Sequence, residues 1–198
     1  MNSLERAWLN WKHGRKFARV GKGSQFPITD LTVEGHVELG ERCRFRNNTT
    51  LRTHGNGKII FGSRSGCSWG VLIEASNLVE IGTYTAIAEY SVVSDTILRL
   101  WGNAEPWQTA EREGRPVRIG PNCFIGSGCY IGPGVTIGEG AVVATHSIVT
   151  RDIGPYEIWS GAPARYVGHR TKDISEAKLR EYQELIARHG FKPDRYKG

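Results

Sequence analysis

Six histidines, four cysteines and a cluster of tryptophans and arginines are the residues of this 198-residue chain best suited to chemistry. The cysteines, Cys43, Cys67, Cys123 and Cys129, contain no C-x-x-C pair. They suit neither a disulfide framework nor a zinc site and read as small core residues of a reducing compartment. Trp101, Pro106 and Trp107 share one stretch with Arg99, Arg112 and Arg115. Aromatic faces suit sugar rings or a nucleotide base, and guanidinium groups suit phosphate. The same tryptophans could instead pack between subunits. Between Ser94 and Gly120 there is no histidine at all. The side chains suited to proton transfer lie elsewhere: His54 in THGNGK, His36 eighteen residues before it, and His146 in VATHS.

Whatever these groups do, the elements that carry them follow a strict period. Ile119, Ile125, Ile131, Ile137, Val143 and Val149 are six residues apart, each followed at the fourth position by Cys123, Cys129, Val135, Ala141, Ser147 or Ile153. A six-residue period is neither helical nor simple strand alternation; it marks a parallel β-helix of hexapeptide repeats. Three hexapeptides make one triangular coil, so the upstream positions sort into faces. Leu39, Phe61, Ile81, Ile119 and Ile137 form one face, and Phe45, Cys67, Ile87, Ile125 and Val143 the next. Val33, Leu51, Ile73, Val93, Ile131 and Val149 form the third. Every excess over 18 residues falls at one corner, after Leu51, Ile73 and Val93. The fold class expected is an all-β solenoid of about five coils with one decorated edge. His54 follows Leu51 by three and Thr96 follows Val93 by three, so both sit on that edge, about 10 Å apart. The 25 glycines serve the turns between faces.

The expected boundaries are an N-terminal helical cap over 1–26, the β-helix over 27–170 with an excursion at 97–116, and a C-terminal helix over 171–198. The first helix places Leu4, Trp8, Trp11 and Ala18 on a rough apolar stripe, and Asp173 with Glu176 resembles a capping box for the last. Both helices are expected to shield open coil ends. The net charge is +6, with Arg6, Lys12, Arg15, Lys16, Arg19 and Lys22 set against Glu5 near the start. A basic surface suits anionic partners, and for the first helix a membrane surface is the alternative to capping. No apolar run approaches the roughly 20 residues of a membrane span, and no signal-peptide pattern opens the chain, so a cytoplasmic protein is expected. No nucleic-acid module is visible.

Three segments, RPVRIGPNCFIGSG, GPGVTIGEGAVVATHSIVTRDI and WSGAPARYVG, resemble the hexapeptide-repeat acyltransferases. That family includes galactoside, maltose, O-antigen and capsule sugar acetyltransferases. The resemblance implies a left-handed β-helix, a homotrimer, and acetyl-CoA lying between neighbouring prisms with no metal. By position, Ser127 matches a residue on the CoA arm and Thr145 one whose backbone meets the pantetheine amides. Thr150 and Arg151 match a Thr-Lys pair near the nucleotide, and Arg165 an arginine placed for CoA phosphate. Thr145, His146 and Phe124 depart from the usual residues, as does Gly168 after Arg165.

Acyl transfer to a sugar hydroxyl needs a general base, because an alcohol is a weak nucleophile at neutral pH. The family's histidine falls where this chain has Leu98 to Leu100. Either another base acts, with His54 and the adjacent edge residue Asp95 as the catalytic candidates, or the acceptor is an amine that Asp95 or Glu89 orients, or the chain is a non-catalytic binding trimer. The γ-class carbonic anhydrases of this fold need two histidines five apart, a spacing this chain lacks. The expectation is an acetyl-CoA-dependent acetyltransferase acting on a sugar or glycoconjugate hydroxyl or amine in surface polysaccharide synthesis. Its acceptor would be a sugar, a nucleotide-sugar or a lipid-linked sugar. The alternative is a CoA- or sugar-binding scaffold.

Overall fold

The computed structural model describes residues 3–27, 29–100, 105, 111–172, 175–178, 180, 181 and 184. They form a left-handed parallel β-helix with three faces, preceded by one helix, α1 (Ser3–Gly14). The first face stacks Arg19–Val20, His36–Leu39, Lys58–Phe61, Leu78–Ile81, Val117–Ile119 and Thr136–Ile137, and a bridge carries it on to Ile153. The second begins at a bridge between Gln25 and Arg44 and runs through Gly66–Cys67, Ala86–Ile87, Phe124–Ile125 and Val142–Val143 to Glu157–Gly161. There Ala164–His169 turns back antiparallel on Glu157–Gly161. The third face holds Leu31–Glu34, Thr49–Thr53, Leu72–Ala75, Val92–Ser94, Tyr130–Ile131 and Ile148–Val149.

The register follows the hexapeptide columns residue for residue. Leu39 lies beside Phe61, Phe61 beside Ile81, and Ile81 beside Ile119. On the third face Leu51, Ile73, Val93 and Ile131 are partners in turn. All of these side chains are buried, as are Cys43, Cys67, Cys123 and Cys129. Burial raises the Cys67 thiol far above its ordinary value, so it stays protonated and inert.

The coil count is larger than the expected five. Six three-faced coils are complete and a seventh begins at Ile153. The extra coil runs through Arg19–Val20, Gln25 and Leu31–Glu34. The period slips there, because Phe26 precedes Val33 by seven residues, with Pro27 and the positive-φ Asp30 between them. The solenoid therefore starts at Arg19, ahead of the expected boundary at 26.

The stripe that anchors α1 is also different. Leu9 and His13 are buried, followed by Phe17, whereas Trp8 and Trp11 are 54% and 62% exposed and Ala18 is exposed. The spacing i, i+4, i+8 wins because Phe17 stacks on Phe26 at 5.3 Å, and Phe26 on Phe45 at 6.2 Å. This aromatic column closes the N-terminal end of the prism. At the other end Ser175 caps a helical segment by accepting the Lys178 N–H at 3.3 Å. Asp173 and most of the expected C-terminal helix lie outside the described residues.

His13 carries a cost. Neither ring nitrogen has a hydrogen-bond partner among the described residues. Burial first, then the charges of Lys16 and Lys12, hold the imidazole below its ordinary value of 6.5, while the nearby Pro27 carbonyl pulls weakly the other way. Below pH 6.5 the unfolded chain therefore binds a proton that the folded chain resists. Stability falls as pH drops through that window and levels off once the folded form is protonated too. Melting temperature measured from pH 7.5 downward should decline below 6.5 in the natural protein. That step should vanish in His13→Leu, and an unchanged step would assign the decline to other groups.

Candidate functional site

The outer surface of the second face forms a trough. Its floor is small: Gly66 and Ala86 follow Arg44 in the same column, and Phe124 closes the far end. Gly66 is required here, since a Cβ would meet the Arg44 carbonyl oxygen at 2.0 Å. Arg42 and Arg64 rise from one corner and Arg46 from the other. Arg64 lies over the Tyr84 ring at 5.6 Å and Arg46 over Trp69 at 5.3 Å, which orients both guanidinium groups. Among the described residues none of these four arginines is in an ion pair. Four such cations around a small-residue floor are suited to an anion with several oxygens.

The trough ends in an acidic clamp. Glu89 accepts the Ser68 hydroxyl at 2.5 Å and the Ser127 hydroxyl at 2.8 Å. The Ser68 bond, then its own backbone N–H and the Ser127 bond, hold the Glu89 carboxyl below its ordinary value, so it is charged at neutral pH. Ser127 and Glu89 stand one coil apart in the same column, each two residues past a register partner, Ile125 and Ile87. Thr145 stands one coil further along the same corner and is exposed. His146 beside it packs over the same corner of the preceding coil, where a Cβ on Gly128 would meet its ring at 2.6 Å.

Thr150 and Arg151 are exposed on the next corner, across the third face from Ser127 and Thr145. Within one chain these two pairs do not converge. Arg165 sits on the returning strand, where its guanidinium bonds the Ala164 carbonyl at 2.9 Å.

The decorated edge carries a second cluster. His54 Nε2 lies 2.6 Å from Glu74 Oε1, with both side chains about one-quarter exposed. Glu74 points outward from the third face, one rung on from Arg52, which itself pairs with Glu34. Tyr130 is near enough that Glu74, after burial, helps raise its phenol above the ordinary value. A carboxylate on one ring nitrogen fixes an imidazole's orientation and leaves the other nitrogen for proton transfer. His36 makes a similar pair with Glu38 at 2.8 Å, on the first face.

Asp95 does not partner His54. It is fully buried, and its oxygens accept the backbone N–H groups of Ser76, Asn77 and Leu78 at 2.7, 2.8 and 2.6 Å, with the Thr96 hydroxyl at 3.1 Å. Its carboxylate pins a turn and has no open side for a substrate. Glu74, which sequence reasoning passed over, takes the place beside the imidazole. The signal for it was its outward position in register with Arg52, one rung from His54.

The excursion is a hairpin of Thr96–Arg99 against Glu111–Gly114. Glu113 joins Arg99 and Arg115 at its base. Trp101, Pro106 and Trp107 lie outside the described residues. Among the described residues no group of three His, Cys, Asp or Glu could hold a metal ion.

Residues 116–151 match the family model described as bacterial transferase hexapeptide (six repeats). Several solved structures share the whole fold. AntD, an N-acyltransferase from Bacillus cereus, in a mutant form complexed with dTDP-4-amino-4,6-dideoxyglucose and coenzyme A, superposes with a TM-score of 0.72 at 21% identity. The match covers 91% of this chain and 95% of that one. AntD with dTDP and 3-hydroxybutyryl-CoA gives a TM-score of 0.70 at 21% identity, covering 91% and 96%. A hexapeptide-repeat-containing acetyltransferase from Vibrio cholerae complexed with acetyl coenzyme A gives 0.61 at 22%, covering 87% and 80%. No curated protein matches significantly by sequence.

Proposed function

We propose, for a chain that carries the bacterial-transferase hexapeptide repeat on a left-handed β-helix, that it transfers an acyl group from an acyl-CoA to a sugar hydroxyl or amine. The observation that carries this reading is the trough on the second face. Four arginines that form no ion pair among the described residues lead along a small-residue floor to Ser127 and the Glu89 clamp. Polyphosphate groups fit the arginines, and CoA and nucleotide-sugars both bear them. Acetyl-CoA is the proposed donor, and a nucleotide-sugar or lipid-linked sugar of surface polysaccharide synthesis the proposed acceptor, in the cytoplasm.

The working form in this reading is a homotrimer. The outward column of the third face, Leu72, Val92, Tyr130 and Ile148 in register, is apolar, and Ile148 is 42% exposed. Packing that face about a three-fold axis would bring Ser127 and Thr145 of one subunit against Thr150 and Arg151 of the next. The split of these residues between two corners then has a reason.

The chemistry is direct transfer. A lone pair of the acceptor oxygen or nitrogen adds to the thioester carbonyl, the C–S bond breaks, and CoA leaves as its thiolate. With a hydroxyl acceptor, His54 takes the hydroxyl proton on Nδ1 while Glu74 holds Nε2 and stabilises the imidazolium; the proton then passes to the departing sulfur. With an amine acceptor, attack precedes proton loss and the base matters less.

The test is release of free thiol from acetyl-CoA, with nucleotide-linked amino sugars and their hydroxyl counterparts as acceptors. Acceptor-dependent thiol release, with acylated sugar seen by mass spectrometry, is the expected result. Calorimetric binding of CoA without turnover on any acceptor would instead favour the scaffold reading.

A further inference from the structure

We propose that the exposed face of α1 docks on an anionic lipid surface, holding the protein at a membrane without crossing it. The helix has two lateral faces of opposite use. Leu9 and His13, extended by Phe17, fasten it to the aromatic column of the first coils. Trp8 and Trp11, three residues apart, point away from the prism and are 54% and 62% exposed. Two adjacent indoles left in water on a short, firmly anchored helix are an unsatisfied apolar surface.

Their surroundings identify the partner. Lys12 Nζ lies 4.9 Å from the Trp8 ring and the Arg15 guanidinium 5.0 Å from the Trp11 ring. Each indole is thus paired with a cation on the same face. Lys22 is a further exposed cation nearby in sequence, whereas Arg19 is engaged by Glu38 and Lys16 by the Leu31 carbonyl. Glu5 is the acidic residue of the helix, in its first turn. Indoles settle at the headgroup level of a bilayer while lysine and arginine reach its phosphates. A protein partner of ordinary composition would not ask for two adjacent exposed indoles each paired with a cation. No helix among the described residues is long and apolar enough to cross a membrane, so the contact would be peripheral.

The inference does not depend on the acyltransferase reading, and its test reads lipid binding alone. The full chain is sedimented with vesicles of phosphatidylcholine and with vesicles also containing phosphatidylglycerol. The natural protein should pellet with the anionic vesicles, weakly with the neutral ones, and less as salt rises. Trp8→Ser with Trp11→Ser should lower partitioning at least about tenfold, since each indole loses its apolar burial. Lys12→Gln with Arg15→Gln keeps the indoles and should abolish the preference for the anionic lipid, which decides the matter if the tryptophan variant folds poorly. Equal partitioning of natural and variant proteins would overturn the proposal. So would a change in oligomeric mass of the tryptophan variant without lipid, because that would make this face a subunit contact.

Discussion

His54→Ala should lower turnover on a hydroxyl acceptor about 10²-fold or more while leaving CoA affinity nearly unchanged. The expectation rests on the 2.6 Å contact between His54 Nε2 and Glu74. A base must present one nitrogen to the acceptor and keep the ring from turning. Glu74 does the second task, and its charge favours the imidazolium that forms on proton transfer. Glu74→Gln keeps a hydrogen bond but removes the charge, so it should cost less than His54→Ala and shift the pH–rate profile. His36 serves as the control. It bears its own carboxylate partner, Glu38, but stands on the first face, and His36→Ala should leave turnover within a few-fold. Near-natural turnover of His54→Ala on a proven hydroxyl acceptor would sink this assignment. If the acceptor is an amine, the loss should shrink well below 10²-fold, because a neutral amine attacks a thioester without prior proton removal. The same pair of assays thus reports on acceptor chemistry as well as on the base.

Asp95→Ala should be among the most damaging single changes, through stability and not through the reaction. Asp95 is fully buried and its carboxylate satisfies three consecutive backbone N–H groups, of Ser76, Asn77 and Leu78, plus the Thr96 hydroxyl. Removal strands those donors at the corner where the chain passes from the third face to the first. Losing a charged acceptor that satisfies buried donors costs about 3 kcal/mol or more. Asp95→Asn keeps the shape but turns one acceptor into a donor facing an N–H, so it should also destabilise. Activity per folded molecule should survive at permissive temperature in Asp95→Asn. A stable variant with abolished turnover would return Asp95 to the reaction.

The columns of the solenoid were legible because a buried position recurs every six residues and the pattern needs no tertiary information. All three faces, their register and the corner that takes the insertions follow from it. The ends were not legible, because there the period slips. Phe26 and Val33 are seven apart, and Ile153 lies beside Ile137 at a spacing of 16 instead of 18. For α1, the two tryptophans outweighed a histidine in any hydrophobic tally, yet the histidine is the residue inside. The site was partly legible. The columns put Ser127 one coil on from Glu89, 38 positions away across the excursion, but not the bond between their side chains. Asp95 looked reactive beside Thr96, and only the paths of its hydrogen bonds reveal a turn anchor. Glu74 drew no attention because an outward glutamate on a strand is ordinary until its neighbour on the next rung is a histidine.

The antiparallel return of Ala164–His169 on Glu157–Gly161 has a consequence for how copies of this protein meet. A parallel ladder is a template: its last rung offers the same row of donors and acceptors as every rung before it. Left open, it invites another chain to continue the stack, and repetition of that step makes a fibre. Here the second face ends in a strand running the wrong way, and the opposite end is closed by α1. On the second face the two ends are therefore unlike each other and unlike the rungs between, so end-to-end growth along that face has no matching surface. The molecule can repeat its own coil six times and still remain an object of fixed length.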